Sequence, residues 1–189
     1  MPAFPVTSGF WGKLPARGDF VRSGLSRGFT EAWDGWINTM LAASRADLGA
    51  TWHTAWLAAP VWRFCLRPKL CGPNAAIGLF LPSLDRAGQP YPLTFAAEFN
   101  IATTPGPAAI AWLDAAELAG RAAISDGLIP QSITARLPEL DADPEDMAPT
   151  AASWWWSDGS PTIPADEICL ATMPSHTHFA TMLAGERLS

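Results

Sequence analysis

A glycine-rich segment near the start of the chain contains residue types that also occur in phosphate-binding loops. Gly9 and Gly12 are followed by Lys13 and Leu14. In a phosphate loop the glycines let backbone amides approach the phosphate, a lysine reaches its outer oxygens, and a Ser or Thr hydroxyl binds magnesium. Here two residues separate the glycines instead of four, and Leu14 stands where the hydroxyl is needed. The segment therefore does not predict nucleotide binding.

Histidine and cysteine are the other residues whose spacing could create a metal site. His176 and His178 would face the same way on a strand. However, Ser175 predicts the start of a helix, on which side chains two positions apart diverge. Cys65 and Cys71 lack the second pair of ligands that a zinc site needs. These patterns predict neither a bound metal nor a cofactor.

Nucleophilic catalysis stays open as an alternative, because a catalytic triad is assembled in space rather than along the chain. His53 or His176 could act with a distant Ser or Asp in a small cytoplasmic hydrolase. His53 lies between Trp52 and Trp56, which predicts a packed side chain rather than a catalytic one. The carboxylates of segment 138–149 lie in a predicted exposed acidic loop. Solvent would keep their pKa values ordinary there, whereas a general acid and a general base need different pKa values. We therefore predict no catalytic residues.

Three consecutive tryptophans could stack on sugar rings or on nucleobases. In a strand, Trp155 would point to the face opposite Trp154 and Trp156. A sheet covered by helices on both faces would bury all three, and we predict this core role. Exposed tryptophan faces would instead favour an aromatic ligand-binding module.

Composition and charge exclude several classes of protein. The chain has 189 residues, of which 49% are hydrophobic and 16% charged, and its formal net charge is −6. Residues 1–70 hold eight Lys and Arg against four Asp and Glu, so the acidic excess lies in the remainder. Such asymmetry suits a protein partner better than a nucleic acid.

Several features of the sequence bear on location. No apolar stretch is long enough to span a membrane and no secretory signal is evident. The three cysteines, an odd and small number, are typical of reduced thiols. The predicted location is the cytoplasm.

The length of the chain and the lack of an internal linker in its sequence predict one domain over residues 1–189. A helix is predicted from Phe29 to Leu48, with Ser26 as its N-cap and Gly49 at its end. A second long helix is predicted from Pro107 to about Ser125. Strands are predicted at 7–14, 19–21, 61–66, 76–81, 93–99, 152–156 and 167–173, with short helices at 51–58 and 175–183. Because some connections are short and others helical, the predicted fold is an α/β/α sandwich with a mixed, largely antiparallel sheet flanked by helices.

The segment from Gly9 to Phe20, GFWGKLPARGDF, resembles the opening signature of the TagF family, which is encoded with bacterial type VI secretion systems. Further landmarks follow in the family's order: WDGW at 33–36, APVWRF at 59–64, CGP at 71–73, PSLDRAG at 82–88, YPL at 91–93 and SWWW at 153–156. Gln89 and Pro90 depart from the pattern, since relatives often have an arginine followed by an aromatic residue there. The resemblance covers residues 8–184.

The resemblance implies a regulator that binds rather than catalyses. TagF proteins are associated with post-translational repression of type VI secretion, acting through the system's forkhead-associated scaffold protein. The implied partner is therefore this scaffold, with no cofactor, metal or nucleic acid. Some relatives carry a fused metal-dependent phosphatase domain, which is not expected here because the chain ends at Ser189.

Two predicted loops carry the candidates for contact with the partner, because loops at strand ends expose side chains on a rigid scaffold. The candidates are Lys13, Arg17 and Asp19 in the first loop and Asp85, Arg86 and Tyr91 in the second. One alternative stays open, namely that Arg17 and Asp19 in the first loop form ion pairs with Asp85 and Arg86 in the second and so hold the two loops together.

Overall fold

A computed structural model describes residues 7–100, 105–140 and 151–185. Its strands are β1 (Thr7–Gly12), β2 (Val21–Ser23), β3 (Trp62–Leu66), β4 (Ala75–Leu81), β5 (Leu93–Phe99), β6 (Ser153–Ser157) and β7 (Asp166–Leu170). They form one seven-stranded sheet in the order β2-β1-β5-β4-β3-β6-β7. The end of β1, the end of β4 and the start of β5 meet at one end of the sheet, because neighbouring strands run in opposite directions.

Within the described ranges, five α-helices cover the sheet: α1 (Arg27–Leu48), α2 (Trp52–Ala58), α3 (Pro107–Asp126), α4 (Pro130–Thr134) and α5 (His176–Ala184). A short 3-10 helix (Gly49–Thr51) joins α1 to α2. The predicted N-cap is confirmed, since the Ser26 hydroxyl accepts a hydrogen bond from the backbone N–H of Phe29 at 3.1 Å. Gly49 ends α1 with a positive φ of 54°, which glycine adopts without the steric cost of a Cβ.

Hydrophobic residues pack on both faces of the sheet. Successive side chains of β4 point to opposite faces, so Leu79 packs with Trp112 of α3 whereas Phe80 contacts Trp33 of α1. The face toward α1, α2 and α5 is rich in aromatic residues. Gly78, at the centre of β4, leaves room for the Phe64 ring, because a Cβ at this position would overlap that ring.

The three consecutive tryptophans divide between the faces as predicted. Trp155 is fully buried and lies 5.2 Å from Phe64, centroid to centroid, on the α1 side. Trp154 and Trp156 stack on each other at 4.5 Å on the α3 side, where they are half-buried against the core. All three therefore contribute to packing.

The predicted α/β/α sandwich with a largely antiparallel sheet is confirmed. The parallel pairing expected of a mixed sheet is absent from the described strands, whose pairings are all antiparallel. The reason is that the long helical connections join strands that are not neighbours, β2 to β3 and β5 to β6. Most of the predicted acidic loop 138–149 lies outside the described residues. Within the described ranges, no helix is both long and apolar enough to cross a membrane.

Candidate protein-interaction site

The two predicted loops lie side by side at one end of the sheet. The first, residues 13–20, joins β1 to β2, and the second, residues 82–92, joins β4 to β5. The backbone N–H of Arg86 donates to the carbonyl oxygen of Arg17 at 2.8 Å. The Ser83 hydroxyl donates to the carbonyl oxygen of Lys13 at 2.7 Å. The fold thus joins the two loops into one surface, which we call the two-loop surface.

A partly buried ion pair holds the two loops together. The Lys13 Nζ lies 2.8 Å from Asp85 Oδ2, and the two side chains are only 18% and 7% exposed. The other oxygen, Oδ1, accepts hydrogen bonds from the backbone N–H groups of Ala87 and Gln89, both at 2.9 Å. The hydrogen bond from Lys13, followed by the one from Gln89, lowers the pKa of Asp85. An ion pair therefore joins the two loops, but it is made by Lys13 and Asp85. The pairing of Arg17 and Asp19 with Asp85 and Arg86 is not found among the described residues, where Arg17, Asp19 and Arg86 form no ion pair.

Asp85→Asn should lower the thermal unfolding midpoint at neutral pH, with an effect that shrinks below about pH 4. Asparagine keeps an oxygen for the turn but removes the charge that Lys13 binds. The ordinary pKa of Asp85 is 3.8 and the folded value is lower. Its ionised form therefore stabilises the fold above the ordinary value, and this contribution is lost as pH falls through the folded value.

Unfolding midpoints of wild type and Asp85→Asn at pH 7 and at about pH 2.5 test this dependence, with exposed Asp19→Asn as the control. Equal differences between wild type and Asp85→Asn at both pH values would contradict it.

Tyr91 is the third of the predicted residues whose side chain is engaged inside the protein. It is 3% exposed. Its hydroxyl donates to Asp34 Oδ1 at 2.6 Å and accepts from the indole N–H of Trp11 at 3.1 Å. Burial, together with the hydrogen bond to Asp34, raises the pKa of Tyr91. The Phe20 ring contacts Trp11 face to face at 4.7 Å and Tyr91 edge-on at 4.8 Å. Tyr91 therefore connects the two-loop surface to α1.

The remaining three predicted residues, Arg17, Asp19 and Arg86, are exposed. They line a groove of about 530 Å³ with Arg22, Phe20 and parts of the α3–α4 connection. Sequence reasoning missed Arg22 and Phe20 because it placed the second strand at 19–21, whereas β2 begins at Val21. The sequence did contain a signal for both residues. Val21 is apolar and lies between Phe20 and Arg22, and in an extended chain the side chains on either side of a core residue point away from the core.

The three histidines do not assemble a catalytic triad in the described part of the chain. His176 Nδ1 lies 2.8 Å from Asp47 Oδ2 at an exposed contact between α1 and α5. His178 Nδ1 lies 2.7 Å from the hydroxyl of Ser175, the N-cap of α5. No described imidazole contacts both a carboxylate and a hydroxyl, as the histidine of a catalytic triad does.

The expectation that His53 is packed is wrong, because this side chain is exposed. Trp52 and Trp56, one turn apart, stack at 5.6 Å and are buried, so His53 lies on the other side of α2.

The cysteines are free thiols in two different environments. Cys65 and Cys71 are buried, and burial raises the pKa of each to about 12, with nearby Glu98 adding to the effect on Cys71. These two thiols are protonated at neutral pH and unsuited to nucleophilic attack. Cys169 is exposed. Among the described residues, no three His, Cys, Asp or Glu side chains are grouped so that they could hold a metal ion.

Comparison with known proteins identifies the class to which this fold belongs. Residues 9–140 match the family described as the TagF N-terminal domain, type VI secretion system-associated. The chain therefore belongs to the TagF family, and both loops of the two-loop surface lie within the matched residues. This membership confirms the resemblance found in the sequence.

One solved structure shares the fold over almost its whole length. It is the crystal structure of PA0076 from Pseudomonas aeruginosa PAO1, with a TM-score of 0.77 and 29% sequence identity. The similarity covers 95% of this chain and 94% of that one. No protein with a curated functional description matches the chain.

Proposed function

We propose that this protein is a non-enzymatic, post-translational repressor of a bacterial type VI secretion system. It acts in the cytoplasm by binding the forkhead-associated scaffold protein of that system. The observation that carries the proposal is the match of residues 9–140 to a type VI secretion-associated family. The scaffold enters as the partner because the sequence resembles that of regulators which act through it.

The two-loop surface supports a binding role because some of its side chains fix the loops while others are exposed to solvent. Lys13, Asp85 and Tyr91 are engaged inside the protein, whereas Arg17 and Arg86 are exposed on the same loops. Loops that are already fixed lose little conformational entropy when a partner binds. Arginine and aromatic side chains are also the types that most often dominate the energy of protein interfaces.

The repressor role predicts increased secretion when the protein is removed. A native host that lacks this protein should export more of a secreted component of the apparatus under conditions where the apparatus is expressed, and complementation should reverse the increase. Immunoblots of culture medium and of cell extract measure export and expression separately. Unchanged export under every condition in which the apparatus is expressed would refute repression.

Binding to the scaffold predicts co-purification. Tagged wild-type protein should recover the forkhead-associated scaffold from its native host, as identified by mass spectrometry. Arg17→Ala and Arg86→Ala should each reduce recovery several-fold, because each removes an exposed arginine of the two-loop surface. Lys69→Ala is the control, since Lys69 is an exposed cation in the β3–β4 connection, at the opposite end of the sheet.

Each outcome of this co-purification has a definite meaning. Recovery by wild type and by the Lys69 variant, with loss in folded Arg17 and Arg86 variants, supports both the partner and the two-loop surface. Equal recovery by all four proteins retains the partner and rejects the surface. Absence of the scaffold from every sample, with the apparatus expressed, rejects the proposed partner.

A further inference from the structure

We propose that the groove of the two-loop surface binds an acidic segment of the scaffold partner. In this complex, Arg17, Arg22 and Arg86 hold carboxylates of the segment, and Phe20 packs against an apolar side chain next to them. The inference rests on the proposed function, because it takes the partner from it, but it specifies the chemistry by which the partner is recognised.

The charge of the groove is the first argument. Three arginines and one acid, Asp19, line it, which leaves two positive charges in excess on a chain whose net charge is −6. Within the described residues these arginines form no ion pair, whereas Arg63 and Arg121 are bound to acidic side chains of α3. A cationic groove on an acidic protein is complementary to a local acidic segment.

The backbone that carries the arginines is held in place, which is the second argument. The backbone of Arg86 is bonded to that of Arg17 at 2.8 Å, and the Lys13–Asp85 pair ties the same two loops together. The guanidinium of Arg86 reaches over Gly18, since it lies 3.5 Å from where a Cβ of that residue would be. The partner therefore meets cationic groups whose attachment points are already ordered, which reduces the entropic cost of binding.

The composition of the groove favours a protein segment over a free anion or a nucleic acid. Phe20 is 40% exposed although Trp11 and Tyr91 support its ring. Lys13 Nζ lies 5.2 Å from the centroid of the same ring. An exposed aromatic ring on a rigid support adjoining arginines is typical of the energetic centre of a protein interface. A long polyanion would in addition meet the acidic remainder of the chain.

Charge reversal tests the groove directly. The triple variant Arg17→Glu, Arg22→Glu, Arg86→Glu should recover at least about tenfold less scaffold than wild type, because three attractions become repulsions. Lys69→Glu should recover the wild-type amount. Raising the salt concentration from about 0.1 M to 0.5 M should weaken the wild-type complex markedly, since exposed charge pairs are screened. Thermal unfolding must confirm that the triple variant is folded, and Phe20→Ala provides a probe without any charge change that should also lower recovery.

The outcomes separate this inference from the function on which it rests. If wild type recovers no scaffold, the partner itself is wrong. If the triple variant and Phe20→Ala both recover as much scaffold as wild type, the groove is not the contact and the proposed function survives. Loss of binding after phosphatase treatment of the scaffold would show that a phosphate is recognised, which overturns the assignment to carboxylates. Full binding after that treatment supports it.

Discussion

Trp33→Ala should lower the free energy of unfolding by about 3–5 kcal/mol, the usual cost of removing a large buried aromatic side chain. Trp33 is fully buried between α1 and the sheet. Its ring lies 5.0 Å from Phe64, 6.1 Å from Phe80 and 6.3 Å from Trp155, measured between centroids. The substitution therefore opens a cavity at the centre of the aromatic layer, which neighbours held in a sheet cannot easily fill.

Chemical denaturation monitored by circular dichroism measures the loss in free energy of unfolding. In thermal unfolding, a chain of this size loses about 2–4 °C of melting temperature per kcal/mol, so the melting temperature should fall by roughly 6–20 °C. Leu118→Ala is the control, because this α3 side chain is 69% exposed and its loss should change stability by no more than about 0.5 kcal/mol. Trp33→Phe should lie between the two, since the indole N–H has no hydrogen-bond partner among the described residues. An equal effect of the Trp33→Ala and Leu118→Ala variants would contradict the assigned core.

Glu98→Ala should lower the free energy of unfolding by about 2–4 kcal/mol, because it removes a buried carboxylate and leaves two half-buried donors of Ser26 without their acceptor. Glu98 is 1% exposed although it is an acid in the interior strand β5. Its two oxygens accept from the backbone N–H and the hydroxyl of Ser26, at 2.8 and 2.6 Å. The same hydroxyl caps α1 through the N–H of Phe29. The carboxylate therefore anchors the start of α1 to the sheet, at the helix end where negative charge is favourable.

The matched control is Glu167→Ala, an exposed acid in the edge strand β7, which should change stability by less than about 0.5 kcal/mol. Hydrogen exchange should also distinguish the variants: Glu98→Ala should accelerate exchange in the first turn of α1, while Glu167→Ala should not. Unchanged stability and unchanged exchange in the Glu98 variant would show that Ser26 does not depend on this acceptor.

The long helices could be predicted from the sequence because their signals are local. The apolar period of α1, the capping hydroxyl of Ser26 and the glycine at 49 all act within a few residues of each other. Pro107 marks the first turn of α3 in the same way. The five-residue helix α4 was not predicted, since so short an element has little periodicity and is stabilised by packing, as with its buried Ile133.

Only part of the candidate interaction site could be predicted. The motifs indicated the two loops that carry the candidate residues, but they could not separate the side chains that support the surface from those exposed on it. Lys13 and Arg17 are both cations of the first loop, yet one is paired with Asp85 and the other is exposed. This difference depends on a residue 72 positions away along the chain. Arg22 was missed as a groove residue because the strand was predicted at 19–21, whereas β2 covers Val21–Ser23. A change in the bounds of a strand changes which of its side chains are expected to be exposed.

By itself, the sequence determined the class of fold, the main helices, the family and the two loops, because each depends on local periodicity or on a run of neighbouring residues. The tertiary structure alone decided the order of the strands, their uniformly antiparallel pairing and the role of each charged side chain in the loops. Those properties depend on contacts between residues far apart in the chain, and the burial of a charge and its choice of partner follow only from where the packed elements bring it.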